Sequence, residues 1–60
     1  MAYKIRVYTE SGSRYTAVVE EKETADLFFN ALTMSGVYEY ITLSEVEEKE
    51  NLVREWAEDD

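Results

Sequence analysis

The side chains of this chain that could do chemistry are carboxylates, tyrosines and a few bases. Fourteen of the 60 residues are acids, six are bases and five are tyrosines; cysteine, histidine and proline are absent, and the net charge is −8. Paired carboxylates can serve glycoside hydrolysis or hold calcium through oxygen ligands. Twelve of the acids fall in three runs: Glu20, Glu21, Glu23 and Asp26; Glu45, Glu47, Glu48 and Glu50; and Glu55, Glu58, Asp59 and Asp60. None has the D-x-D-x-D-G spacing of a calcium loop, and a chain this short has no cleft in which to desolvate a carboxylate pair, so these read as solvated acids.

The missing residue types exclude more. Without Cys or His there is no Cys–His or Ser–His–Asp nucleophile, no thiolate or imidazole zinc site and no disulfide. The two glycines, Gly12 and Gly36, sit in no phosphate-cradling pattern. The sequence therefore reads as non-enzymatic, with no catalytic residues, no cofactor and no metal. The opening residues, Met1 to Arg6, alternate where a signal peptide would run apolar, and no apolar stretch approaches the roughly 20 residues of a bilayer span. A cytoplasmic protein without a membrane partner is the expectation, which the lack of cysteine fits.

Residues 1–60 are expected to form one domain, since the length leaves no room for a second. A domain of 60 residues buries only about 60% of its unfolded surface, and without a disulfide or metal the remaining aids are dense packing and self-association. A homo-oligomer, in the simplest case a dimer, is expected on that ground.

Hydrophobic periodicity defines the elements. Residues 3–9 alternate with period two, with Ile5 and Val7 on one face and Lys4, Arg6 and Tyr8 on the other. Ser11, Gly12 and Ser13 supply a turn, and residues 14–20 return as a second strand. A three-residue loop pairs Val7 with Ala17 and Ile5 with Val19, turning Tyr15, Ala17 and Val19 inward; a two-residue loop would turn Thr16 and Val18 inward, and the first buries more apolar groups. From Glu21 to Ser35 the period becomes helical: Ala25, Phe28, Phe29 and Leu32 make one stripe, acids crowd the start where the helix dipole favours them, and Gly36 stands where a left-handed cap belongs.

Residues 37–44 alternate again, placing Val37, Glu39, Ile41 and Leu43 on one face and Tyr38, Tyr40 and Thr42 on the other. The segment from Glu45 to Trp56 supports two readings. As a helix it has a capping box at Ser44–Glu47 and the i,i+4 pairs Glu45/Lys49 and Glu50/Arg54. As a strand, Asn51 to Trp56 follows a turn over residues 47–50, setting Ile41 opposite Trp56 and Leu43 opposite Arg54, with Leu52 on the same face. The strand is preferred, because in the helix Lys49 interrupts the apolar stripe. Trp56 then closes the end of the core against the helix. The expected fold is α+β, a small antiparallel sheet with one helix on one face in the order ββαββ; the alternative is ββαβα with a C-terminal helix.

A single helix leaves the other sheet face uncovered, and that face is the expected site. It carries Arg6, Tyr8, Arg14, Val18, Tyr38 and Tyr40, residue types suited to a protein interface, although tyrosine also suits a half-wet strand that packs across to its neighbours. The expected role is a small acidic interaction module, an inhibitor or regulator of the kind phages and mobile elements carry, binding a protein partner through this face. Charge supplies a second reading. Residues 1–19 hold three bases and one acid, whereas residues 20–60 hold three bases and thirteen acids. An acidic surface at Glu45, Glu47, Glu48 and Glu50 could present carboxylates in place of phosphates to a nucleic-acid-binding protein; it equally serves solubility. Direct nucleic-acid binding is disfavoured, since three bases on a sheet within a field of −8 are a weak footprint. A structural homo-oligomer with an accessory role is the third reading.

Overall fold

A computed structural model of the chain describes residues 1–58; Asp59 and Asp60, the last acids of the third run, lie outside the described residues. The element order is β1 (Ala2–Tyr8), β2 (Arg14–Val19), α1 (Lys22–Ser35), β3 (Tyr40–Val46) and β4 (Glu50–Ala57). The strands form one antiparallel sheet in the order β2-β1-β3-β4, with the helix on one face. This is the ββαββ arrangement of the sequence reading, and the segment after Ser44 is a strand, not a helix.

Alternation decides which residues are buried. Tyr3, Ile5 and Val7 from β1 and Ile41 and Leu43 from β3 meet Ala25 and Phe29 of α1 to form the core, with Val19, Leu32, Tyr38 and Trp56 packed around it. The central strands β1 and β3 supply the apolar residues because each is flanked on both sides, whereas an edge strand is flanked on one. The helix begins after Glu21, whose side chain makes no cap hydrogen bond, and ends on Gly36 at φ +70°, a left-handed conformation that glycine enters without a Cβ penalty. Phe28 stands 44% exposed beside Phe29 at 3%, so the buried stripe is narrower than the helical spacing implies.

Three details of register differ from expectation. In the first hairpin Val7 pairs with Tyr15, Ile5 with Ala17 and Tyr3 with Val19, two residues from the expected register. The loop is longer, spanning residues 9–13: the Thr9 N–H donates to the Ser13 carbonyl and the Gly12 N–H to the Thr9 carbonyl, both at 3.0 Å, drawing Thr9 and Glu10 out of the strands. Because the shift is even, Tyr15, Ala17 and Val19 still face the helix.

In the second hairpin, Ile41 opposes Trp56 and Leu43 opposes Arg54 as expected, but Ser44 opposes Leu52. Val53 is the extra residue of a β-bulge, which turns Leu52 onto the face opposite the helix, where it is 57% exposed. The expected placement of Leu52 in the core is therefore corrected. The bulge also shortens the turn to residues 47–49, with Val46 opposite Glu50.

The third difference concerns Tyr38. Residues 37–39 precede β3; Tyr38 packs on the helix-side core and Val37 is exposed. The chain leaving the Gly36 cap joins the sheet only at Glu39, whose N–H donates to the Tyr8 carbonyl at 2.9 Å, so strand alternation does not extend back to residue 38.

Candidate functional site

The face without a helix is built in rows of cross-strand neighbours. One row runs Arg14, Tyr8, Tyr40, Ala57; the next Thr16, Arg6, Thr42, Glu55; the third Val18, Lys4, Ser44, Leu52. Five of the six residues expected to bind a partner, Arg6, Tyr8, Arg14, Val18 and Tyr40, therefore share this face. Tyr38 does not: it is turned toward the helix and drops out of the candidate surface.

The face is polar at its centre. Arg6 Nη2 meets Glu50 Oε1 at 2.7 Å, a pair that reaches from β1 to β4 across β3, where Thr42 and Ser44 are buried. The bond from Arg6 holds the Glu50 carboxyl below its ordinary range, against a smaller opposing effect of desolvation. Tyr8 and Tyr40 lie side by side with ring centroids 5.5 Å apart and planes inclined at 41°, a tilted aromatic pair. The Tyr40 hydroxyl donates to Glu55 Oε2 at 2.9 Å, which raises its pKa because the anion would lose that acceptor. Arg6 is thus already partnered within the chain. Tyr8, Tyr40, Arg14 and Val18 make up the part that can meet another molecule, with Val18 61% exposed.

The four acids expected to form one surface are divided. Glu45 belongs to the helix-side face of β3, Glu47 and Glu48 lie in the turn, and Glu50 is on the open face bound to Arg6. A carboxylate cluster forms elsewhere: Glu10, Glu39 and Glu58, one from each of three separated segments, bring carboxylate oxygens within 4.8 Å of one another, all three residues exposed. Backbone hydrogen bonds gather them, Glu39 N–H to Tyr8 O and Glu58 N–H to Glu39 O. Sequence spacing carries no sign of this cluster, because the three positions meet only through strand pairing.

Comparison with protein-family models, with curated proteins and with solved structures finds no match for this chain. Among the described residues no helix is long and apolar enough to cross a membrane.

The helix-side face differs at its two margins. Next to β4, the Arg54 guanidinium lies 4.4 Å above the Phe29 ring, donates to Asn30 Oδ1 at 3.1 Å and approaches Asp26 Oδ1 at 3.6 Å. Next to β2 there is a shallow recess of about 170 Å³ among Tyr15, Ala17, Phe28, Leu32 and Tyr38. Its remaining lining residues are Ile5, Val7 and Thr16.

Proposed function

We propose that this protein is a non-enzymatic protein-interaction module whose open sheet face recognises a protein partner. The observation that carries the reading is the four-stranded sheet with a helix on one side only, leaving the Tyr8–Tyr40 pair beside Arg14, with Val18 two rows away on the same face. Tyrosine and arginine dominate the binding energy of many interfaces, and the pair is already held in place, so little side-chain freedom is lost on docking. The acids expected to imitate phosphates are spread over both faces and a turn, which supports the tyrosine face over a nucleic-acid mimic. An inhibitor or regulator acting by binding is the role that suits such a surface.

Affinity capture from cells with the wild-type chain and with a Tyr8→Ala/Tyr40→Ala variant, quantified by mass spectrometry, tests the reading. A partner retained by the wild type and lost at least tenfold by a variant of unchanged circular dichroism is expected, as two hot-spot aromatics would require. Equal capture by both proteins, or none above bare matrix, overturns it. A captured nucleic-acid-binding protein that is released by moderate salt and by competing DNA would instead assign the function to the acidic surface.

A further inference from the structure

The two edges of the sheet are built differently, and one of them is self-complementary. Between Arg14 and Glu20, β2 reads Tyr15-Thr16-Ala17-Val18-Val19: five residues without charge, proline or bulge. Edge strands that stay unpaired are ordinarily guarded by such features, because their outward N–H and C=O groups template the addition of another strand. Among the described residues no element pairs with the outer edge of β2, and Tyr15 and Val18, on opposite faces, are 60% and 61% exposed.

We infer that β2 pairs antiparallel with β2 of a second copy of this chain, giving a two-fold dimer with a continuous eight-stranded sheet. The inference goes beyond the open-face reading and does not rest on it. An isologous contact requires the strand to complement its own reverse. In-plane antiparallel pairing keeps both helices on one face, so residues of like face must oppose each other. The register centred on Ala17 satisfies this and uses the full strand. It sets Ala17 against its own copy, Thr16 against Val18, Tyr15 against Val19, and Arg14 against Glu20. Each dimer then holds two Arg14–Glu20 pairs, one at either end of the ladder, and no charge between them.

Two further features agree with this occupant. The edge lies in the one part of the chain where bases outnumber acids, residues 1–19, so two molecules of net charge −8 meet where their repulsion is smallest. The apolar recess bounded by Tyr15, Phe28 and Leu32 lies at the same margin. Pairing brings that flank of each copy toward its equivalent and gives both a reason to be apolar. The edges left outermost are the two β4 strands, each interrupted by the Val53 bulge.

Sedimentation equilibrium of the full chain over a concentration series reads the association, with light scattering as a second measure of mass. Twice the 7.0 kDa chain mass is expected, resolving to monomer on dilution. Arg14→Glu and Glu20→Arg each place like charges across both ends of the ladder and should raise the dimer dissociation constant about tenfold or more. The double variant Arg14→Glu/Glu20→Arg restores the opposite-charge pairs and should recover wild-type association, a rescue that damage to the fold could not produce. Hydrogen exchange in the dimer should protect the outward amides of β2 and leave those of β4 unchanged. Monomer at every concentration up to about 1 mM, weaker than which a contact would not be a specific interface, overturns the inference. So does a dimer whose constant ignores both single reversals, or one whose β4 amides become protected instead.

Discussion

The strands at the two margins of the sheet are held by different means. β4 is tied by side chains: Glu50 to Arg6 at 2.7 Å, Glu55 to Tyr40 at 2.9 Å, and Arg54 to Asn30, Asp26 and the face of Phe29. It also carries a bulge that disrupts its ladder. Among the described residues no side-chain hydrogen bond or ion pair joins β2 to the rest of the chain; its backbone ladder with β1 and partial cover from the helix hold it. One margin is finished within the chain, and the other is left apolar and straight. A strand that a protein must keep single is ordinarily guarded, and the unguarded β2 is the strand that the proposed dimer pairs.

The neighbouring phenylalanines of α1 give the largest test of this contrast. Phe29 is 3% exposed under Arg54, so Phe29→Ala should cost about 3–5 kcal/mol, enough to unfold much of a domain this small at 25 °C. Phe28 faces the recess beside β2, and Phe28→Ala should cost about 1 kcal/mol in the monomer, because about half of its ring is already in water. Chemical denaturation at low and high protein concentration separates the two. The Phe28 variant should lose more at high concentration, where the dimer covers that flank; equal losses at both positions would erase the difference between the margins.

The bulge supplies a sharper and smaller test. Alternation alone puts Leu52 with Arg54 and Trp56 toward the helix, where Leu52→Lys would bury a charge and be severely destabilising. The bulge puts Leu52 on the open face, and Leu52→Lys should then change stability by no more than about 0.5 kcal/mol, as at ordinary surface positions. A thermal midpoint lowered by more than about 10 °C would place Leu52 back on the helix side.

These residues also show what could be read from the chain alone. The strands, the helix and its glycine cap were legible because period two, period 3.6 and a left-handed glycine are local signals. The faces of the first hairpin survive the two-residue error in register because the side-chain period is also two. The fourth strand was legible through Lys49, whose charge spoils the helical stripe. Nothing in the sequence marks Val53 as a bulge residue, since an apolar side chain fits either face, and alternation without the bulge puts Leu52 on the wrong one. Alternation extended back toward Gly36 puts Tyr38 on the open face, but it runs past the point where Glu39 first bonds to the sheet. The pairing of β1 with β3 and the ties from Arg6 to Glu50 and from Tyr40 to Glu55 join residues 15 or more apart, and no short-range pattern encodes them.

The side-chain ties of β4 make its margin sensitive to pH. The Glu50 carboxyl is held below its ordinary range by Arg6. A carboxyl with a lowered folded pKa binds its proton more readily in the unfolded chain, so its stabilisation is complete above the unfolded value of about 4.3 and fades as pH falls through the folded one. Wild type and Glu50→Gln should therefore differ in urea midpoint at pH 7 and converge in acid. A difference that persists unchanged at pH 2 would show that the carboxylate charge is not what holds the two strands together.

The smallest expected effect lies at the alkaline end and concerns Tyr40. Its hydroxyl is a donor to the Glu55 carboxylate, so ionisation breaks the bond and places two anions together; the folded pKa is accordingly raised. For a raised pKa the sign reverses relative to Glu50: the contribution is whole below the unfolded phenol value of about 10 and is lost as pH climbs through the folded one. The bond is exposed to solvent, so the change in stability should be small. Ultraviolet titration reads it more directly than denaturation does. The Tyr40 phenol should ionise as a late phase above the ordinary phenol value, and Glu55→Gln should advance that phase. Tyr40→Phe should remove the late phase and leave the Tyr8 ring with an apolar neighbour in the same position, so partner capture through the open face should survive this substitution where it fails for Tyr8→Ala/Tyr40→Ala. If the late phase remains in Tyr40→Phe, the tie between β3 and β4 at this position does not exist in solution, and β4 has one guard fewer than the structure gives it.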